Sequence, residues 1–327
     1  MVKPVRAKKQ FIFENSPSFQ SCHASTLALT SDDQLHAAWF GGSGEGQPDV
    51  AIWGASYRSG LWSEPRRLAS EEGLPHWNPV LFTTPEDRLY LFYKVGHTIP
   101  HWQTRIMSSV DQGASWTSAR ELVAGDVGGR GPVRSRPIIL SDGHWLAPAS
   151  LEGKNWHCFV DRSADQGRSW QASAPIRLDS PPQGKGTIQP TLWESRPGHV
   201  HMLMRSSERR VYRSDSNDGG RTWSPAHPTS LPNNNSGIDV AQWSDGSLFL
   251  AYNPVAENWG ARTPLVLALS TDNGGSWHPV FTLEDQPGEY SYPTLLTGHH
   301  GSLFVSYTWQ RRSIVVWHFV WPQQLRR

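Results

Sequence analysis

Arginine, histidine, tyrosine and a few carboxylates recur in this sequence at the ends of short apolar runs. That placement suits an anionic, hydroxyl-rich ligand better than an apolar one. At the beginnings of such runs stand His23, Asn78, Arg136, Gln189, Asp239 and Tyr292. Proline follows Asn78, Arg136, Gln189 and Tyr292, so regular strand pairing is expected to stop there. Between the second and third runs of successive units lie Asp49, Lys94, His97, Glu152, Arg205, Asn253 and Arg262. Guanidinium groups hold a carboxylate through charge-assisted hydrogen bonds, carboxyl groups move protons, and a phenol or imidazole can attack or shuttle a proton. The ligand class expected of such a set is a sugar acid.

These residues can converge only if the chain repeats a unit that presents the same positions to one place, and it does repeat one. The phrase S-x-D-x-G-x-x-W occurs at Ser109–Trp116, Ser163–Trp170, Ser216–Trp223 and Ser270–Trp277, with tryptophans separated by 54, 53 and 54 residues. A further 54 residues upstream, Trp62 closes a degraded copy that lacks the aspartate. An aspartate followed two residues later by glycine suits a tight hairpin: the carboxylate accepts backbone N–H groups and the glycine takes the positive φ. Asp111, Asp165, Asp218 and Asp272 are therefore read as turn-formers and not as acids or metal ligands.

Dividing 327 residues by a period of 54 predicts about six units. Each unit reads as a short strand, a turn, a second strand, a variable loop, a third strand running into the box, and a fourth strand after the tryptophan. The sixth unit stops after its third strand, while the Lys9–Phe13 stretch at the other end has no partner in the first unit. Joining the two closes the array and removes its exposed edges. The expected fold is all-β: one domain over residues 1–327, a six-bladed β-propeller of four-stranded antiparallel blades closed by the N-terminal strand. First strands then line the axis, and their starts share one mouth with the loops between second and third strands.

Composition narrows the function. The 29 glycines, 25 prolines and 17 tryptophans fit a β protein. A net charge of +1 with both signs interspersed gives no nucleic-acid or membrane surface, and no run is long enough to span a membrane. Two cysteines, Cys22 and Cys158, form no disulfide framework, and with no secretory leader evident a cytoplasmic location is expected. His97, His101, His299 and His300 lack metal-ligand spacing, so neither a metal nor another cofactor is expected. The Gly41–Gly44 segment opens no helix, and neither a nucleophile-elbow serine nor a C-x-x-C pair is present.

The four boxes resemble the Asp-box (BNR) repeats of the sialidase superfamily, and the resemblance covers nearly the whole chain. It implies a six-bladed propeller in which arginines hold a sugar carboxylate, an aspartate is the acid/base, and a tyrosine assisted by a glutamate attacks. Arg262, in Arg262-Thr263-Pro264-Leu265 before the last box, and Arg205, closing the second strand of the fourth blade, match two of the arginines. The tyrosine matches Tyr290 in Tyr290-Ser291-Tyr292-Pro293-Thr294-Leu295-Leu296, with Tyr292 beside it, and the acid loop matches Glu45 to Asp49, with Asp49 as the acid. Two positions depart: His23 stands where an arginine begins the first strand, and Gln189 where the assisting glutamate is carried. The phrases Pro232–Gly237 and Gly288–Pro293 resemble a bacterial branch of predicted neuraminidases.

The leading expectation is an exo-acting glycosidase on a terminal acidic sugar. Arg205 and Arg262 form the clamp, together with Arg136 or His23, and Asn78, Lys94, Glu152 and Asp239 complete the binding set. A polysaccharide lyase acting on a uronate is the alternative, because a histidine gained and an arginine lost suit elimination. A sugar-binding module without catalysis is the third.

Overall fold

A computed structural model describes residues 3–14 and 18–325. Among them six antiparallel sheets follow one another along the chain. Blade one comprises Ser21–Leu29, Leu35–Gly42 and Ala51–Arg58, with Leu61–Trp62 and Arg66–Ala69 both pairing the third strand. Blade two is His76–Thr83, Leu89–Val95, Gln103–Ser109 and Arg120–Glu121. Blade three is Ile138–Ile139, Trp145–Glu152, Trp156–Ser163 and Gln171–Ala172. Blade four is Thr187–Arg196, His199–Ser206, Arg210–Ser216 and His227–Pro232. Blade five is Asp239–Gln242, Leu248–Tyr252, Leu265–Ser270 and His278–Glu284. Blade six takes Tyr290–Thr297, Ser302–Trp309 and Ser313–Val320 from the end of the chain and Arg6–Phe11 from its start. The pairing runs from Arg6 opposite Val320 to Phe11 opposite Val315, which is the closure expected from the unpartnered first strand.

The boxes are hairpin locks. In the first, Ser109 Oγ donates to Asp111 Oδ1 (2.7 Å) and accepts Gly113 N (2.8 Å), and Asp111 Oδ1 also accepts Ser115 N (2.9 Å). Gln112 and Gly113 both have positive φ, 55° and 75°, the conformation a two-residue hairpin requires. These bonds to the ionised form hold the Asp111 carboxyl at about 2, with Ser115 the main cause, so the aspartate stays an acceptor across the physiological range.

Apolar burial joins one blade to the next. Five clusters each draw on two neighbours, and a sixth joins blades one and two and takes in Tyr292 of blade six; Phe13, Phe19, Leu27, Trp39, Ile314 and Val316, for example, fill the junction of blades six and one. Polar staples near the axis add to this. Thr26 Oγ1 accepts Leu81 N (3.0 Å), Thr191 Oγ1 accepts Val240 N (3.2 Å), and Asp239 Oδ2 accepts Leu295 N (2.9 Å). Asp239, expected in the ligand-binding set, is thus committed to holding blades four, five and six, its other oxygen accepting Thr191 Oγ1 at 2.8 Å.

Among the described residues no helix is long and apolar enough to cross a membrane. Asp239→Ala is expected to lower stability by about 2–3 kcal/mol, because it orphans a buried amide and a buried hydroxyl. The shift of the urea unfolding midpoint measures this, and an unchanged midpoint would return Asp239 to the ligand-binding set.

Candidate functional site

Four inner strands break their register at the same place. The ladders skip between His23 and Thr26, Trp77 and Val80, Ile188 and Thr191, and Ser291 and Thr294. At the skips Ala24, Asn78, Gln189 and Tyr292 adopt positive φ of 56°, 42°, 51° and 54°. A bulge of this kind re-aims side chains and ends pairing. For a residue as large as tyrosine the left-handed region is strained, and such strain concentrates at functional sites.

Tyr292 is the centre of the site. The guanidinium carbons of Arg134, Arg262 and Arg205 lie 5.4, 5.6 and 5.7 Å from its ring centroid. Arg205 Nη1 donates to the phenol oxygen (2.7 Å) and to Gln189 Oε1 (2.9 Å), while its Nε donates to Asn235 Oδ1 (2.8 Å). The His23 ring packs against Tyr292 at 4.1 Å between centroids. Arg134 reaches in from the loop before blade three, donating to the carbonyls of Pro293 and Ile238. Gly237 makes room for it: a Cβ there would come within 2.8 Å of Arg134 Nε.

The charge balance of these arginines is uneven. Arg262 pairs with Glu289 (2.6 Å), which also accepts Arg311 Nε (2.8 Å), and Arg311 reaches Glu45 as well (2.5 Å). Arg134 and Arg205, each 3% exposed, have only neutral acceptors; among the described residues no carboxylate lies within 4 Å of either. Burial pulls Arg134 below its ordinary value, with Arg205 adding to the fall against the pull of Asp239 and Tyr292. Two adjacent buried cations without a counter-charge are costly, and an anionic ligand would relieve them.

His23 is pushed well below its ordinary value, first by burial and then by Arg311, Arg262, Arg134 and Arg205. Among the described residues neither ring nitrogen has a hydrogen-bond partner. The site therefore holds a neutral imidazole with a free lone pair. Glu152, at the end of its strand, accepts Ser150 Oγ (3.0 Å) and Gln189 Nε2 (3.4 Å), and burial raises its carboxyl above the ordinary range despite Arg205.

The structure thus gathers Arg205, Arg262, Tyr292, His23, Gln189 and Glu152 in one place and puts other expected residues elsewhere. Tyr290 is buried in the core of blades five and six, its hydroxyl beside Gln310. Arg136 donates to Leu295 O and lines a cavity of about 550 Å³ with Asp239 and Thr191 at the far end of the axial channel. That cavity is well formed, but it lies along the later halves of the inner strands, away from Tyr292.

Lys94 is fully buried, bonded to Thr104 Oγ1 (2.7 Å) and Arg130 O (2.9 Å), and burial lowers it to about 8. Asn253 ties Pro264 O to Tyr290 O. Asn78 occupies a bulge, with φ of 42°. Asp49 is exposed at the rim, where Ser43 Oγ and N donate to it (2.8 Å each) and hold it below the ordinary carboxylate range.

Sequence reasoning missed Arg134, Asn235, Arg311 and Glu289, and two tryptophans at the Arg205 guanidinium, Trp156 at 6.0 Å and Trp259 at 5.8 Å. Trp259 is 64% exposed, with φ of 59°. Arg134 lies in the loop two residues before Arg136, and no sequence signal separates the two.

A model of the BNR repeat-like domain matches residues 33–305. No protein of curated function matches the sequence. Among solved structures, a Dyadobacter fermentans protein of unknown function is similar with a TM-score of 0.78 at 14% identity, over 98% of this chain and 99% of that one. A Trypanosoma rangeli sialidase in complex with sialic acid is similar with a TM-score of 0.75 at 14% identity, over 99% of this chain and 60% of that one. The NanB sialidase of Streptococcus pneumoniae is similar with a TM-score of 0.72 at 12% identity, over 95% and 70%. The chain therefore spans about three-fifths of the trypanosome protein, and at these identities the likeness is one of fold.

The neutral state of His23 has a measurable consequence. An imidazole neutral when folded but free to protonate when unfolded leaves its stability contribution intact above about pH 6.5. Below that, stability falls with pH by up to about 1.4 kcal/mol per unit until the lower folded value is reached. The stability difference between wild type and His23→Phe, from urea titrations at pH 7.5 and pH 5, is expected to shift against the wild type at the lower pH. A difference independent of pH would mean that His23 protonates in place.

Proposed function

The chain belongs to the BNR repeat-like domain family, and from that premise we propose that it is a glycoside hydrolase of the sialidase type, removing a terminal acidic sugar, sialic acid or a relative, from a glycan. The observation that carries this reading is the pair of buried arginines, Arg134 and Arg205, left without carboxylate partners on either side of Tyr292. A sugar carboxylate entering between them supplies the missing charge, and Arg262 can turn toward it from Glu289.

With the carboxylate so held, the neighbouring anomeric carbon faces the Tyr292 oxygen. Arg205 already donates to that oxygen, which orients it for attack on, or stabilisation of, an oxocarbenium-like centre. The leaving oxygen needs a proton. Asp49 stands in the loop where the family resemblance puts the acid, but Ser43 keeps it ionised; Glu152, whose proton burial favours, is the better-poised donor. Trp259, projecting at the rim, offers a face on which a further sugar can stack.

One observation favours a second reading, a polysaccharide lyase. The neutral, unpartnered His23 against Tyr292 is a base and acid pair beside an arginine clamp. On a uronate, the arginines neutralise the carboxylate, His23 takes the proton from the carbon next to it, and the Tyr292 hydroxyl protonates the departing oxygen. Gln189 in place of a glutamate removes a carboxylate that hydrolysis by a tyrosine uses.

Product analysis separates the two. Incubation with sialosides is expected to release free sialic acid, whereas an unsaturated uronate absorbing in the ultraviolet from a uronate oligosaccharide would replace hydrolysis with elimination. Arg205→Ala is expected to lower kcat/KM by about 100-fold or more. Glu152→Gln is expected to be slow on natural glycans and largely restored with an aryl leaving group that needs no proton, while the same pattern in Asp49→Ala would move the acid to the rim. No product from either substrate, with glycan binding intact, would leave a binding module.

A further inference from the structure

A second constellation with the geometry of a catalytic site lies on the opposite end of blade four. Ser195 Oγ is 2.7 Å from His201 Nε2, and His201 Nδ1 bonds Asp215 Oδ1. The three residues stand on consecutive strands: Ser195 at the bulge that ends Thr187–Arg196, His201 on the next strand, and Asp215 directly opposite His201 on the third. Gln189 stands near the start of the strand Thr187–Arg196 and Ser195 near its end, so six residues, about 20 Å of strand, separate this cluster from the arginine site.

Asp215 favours one tautomer: a carboxylate only accepts, so its bond places the imidazole proton on Nδ1, against Arg213 Nη2, a donor that also lies 3.1 Å from that nitrogen. Asn273 Oδ1 accepts Trp193 Nε1 (2.8 Å), which turns its Nδ2 toward His201 Nε2 (3.1 Å), so Nε2 is an acceptor there too. The Ser195 hydroxyl therefore donates to Nε2, the arrangement in which a histidine can take a serine proton. Arg213, close to the same ring, donates through Nε to Asp215 (3.0 Å). Burial pushes the Asp215 carboxyl up, but the bonds from His201 and Arg213 outweigh it and keep it ionised. His201 is further locked by stacking on Trp193, 5.1 Å between centroids and 25° between planes.

Access distinguishes this cluster from a cross-strand network buried for stability. Ser195 is exposed, and Ser195, His201 and Asn273 open into a polar cavity of about 500 Å³ that Arg196 and Gln242 also line. Arg196 and Gln242 bring donor groups to the wall of this cavity, to which Asp245 adds a carboxylate, while Asn273 Nδ2 is engaged with His201 Nε2.

We propose that Ser195, His201 and Asp215 form a second, esterase site, acting on carboxylic esters with a small acyl group and a polar alcohol. Ser195 Oγ attacks the acyl carbon while His201 Nε2 takes its proton. The carbon–alkoxy bond then breaks, the alcohol leaves with the proton from His201, and the acyl group stays on Ser195. Water, deprotonated by His201, cleaves that ester and restores the serine. The proposal stands apart from the glycan reading, since no residue is shared.

Full-length protein is incubated with p-nitrophenyl acetate and, separately, with a fluorophosphonate probe followed by peptide mapping. Turnover above buffer and phosphonylation of Ser195 are expected, with both lost in Ser195→Ala, the turnover by roughly 100-fold or more. Unchanged thermal melting of Ser195→Ala, an exposed and small change, shows that the loss is chemical. Wild-type protein that neither turns over the ester nor takes the probe at Ser195, or a Ser195→Ala variant as active as wild type, would overturn the proposal.

Discussion

Ring closure is the constraint from which the rest follows. A row of six sheets left open would expose an apolar face at each end; pairing Arg6–Phe11 with Ser313–Val320 converts both into one more inter-blade junction. With all six junctions filled, no blade can tilt without disturbing two neighbours. The staples from Thr26, Thr191 and Asp239 fix the inner strands to one another at backbone level, close to where the side chains of the site emerge.

That stiffness is what allows the unfavourable features of the mouth to persist. A tyrosine in the left-handed region, two buried arginines without a carboxylate and an imidazole with no hydrogen bond each cost free energy that local structure does not return. They are found together, around one ring, at the point where four inner strands bulge. The outer hairpins, locked by their box aspartates, and the inter-blade clusters supply the stability. The same frame carries a second polar group at its far end, where hairpin geometry brings Ser195, His201 and Asp215 into line.

The fold was legible because its signals are local and repeated: each box specifies a hairpin from eight residues, and the spacing between boxes specifies the array. Arg205 and Arg262 were legible through the family resemblance, one closing the second strand of blade four and the other preceding the last box. Tyr290 and Tyr292 could not be told apart, because the bulge at Tyr292 breaks the alternation that parity arguments assume. Arg136 stood in for Arg134 because the inner strand of blade three is only two residues long, too short for a pattern to assign its faces. Lys94 and Asp239 have the polar character of ligand-binding groups but turn inward to carbonyls, hydroxyls and amides of neighbouring segments, and sequence alone does not record which way a polar side chain at a strand end faces. Asn235 depends on a loop conformation that no periodicity encodes.

The junction between the last blade and the first runs through the mouth. His23 against Tyr292, Glu45 with Arg311, and Ala24 N with Thr308 Oγ1 all join residues from opposite ends of the polypeptide. During synthesis, a growing chain carries Arg134 and Arg205 long before Tyr292 and Arg311 leave the ribosome. Assembly of the mouth therefore waits on the pairing of strands that lie far apart in sequence.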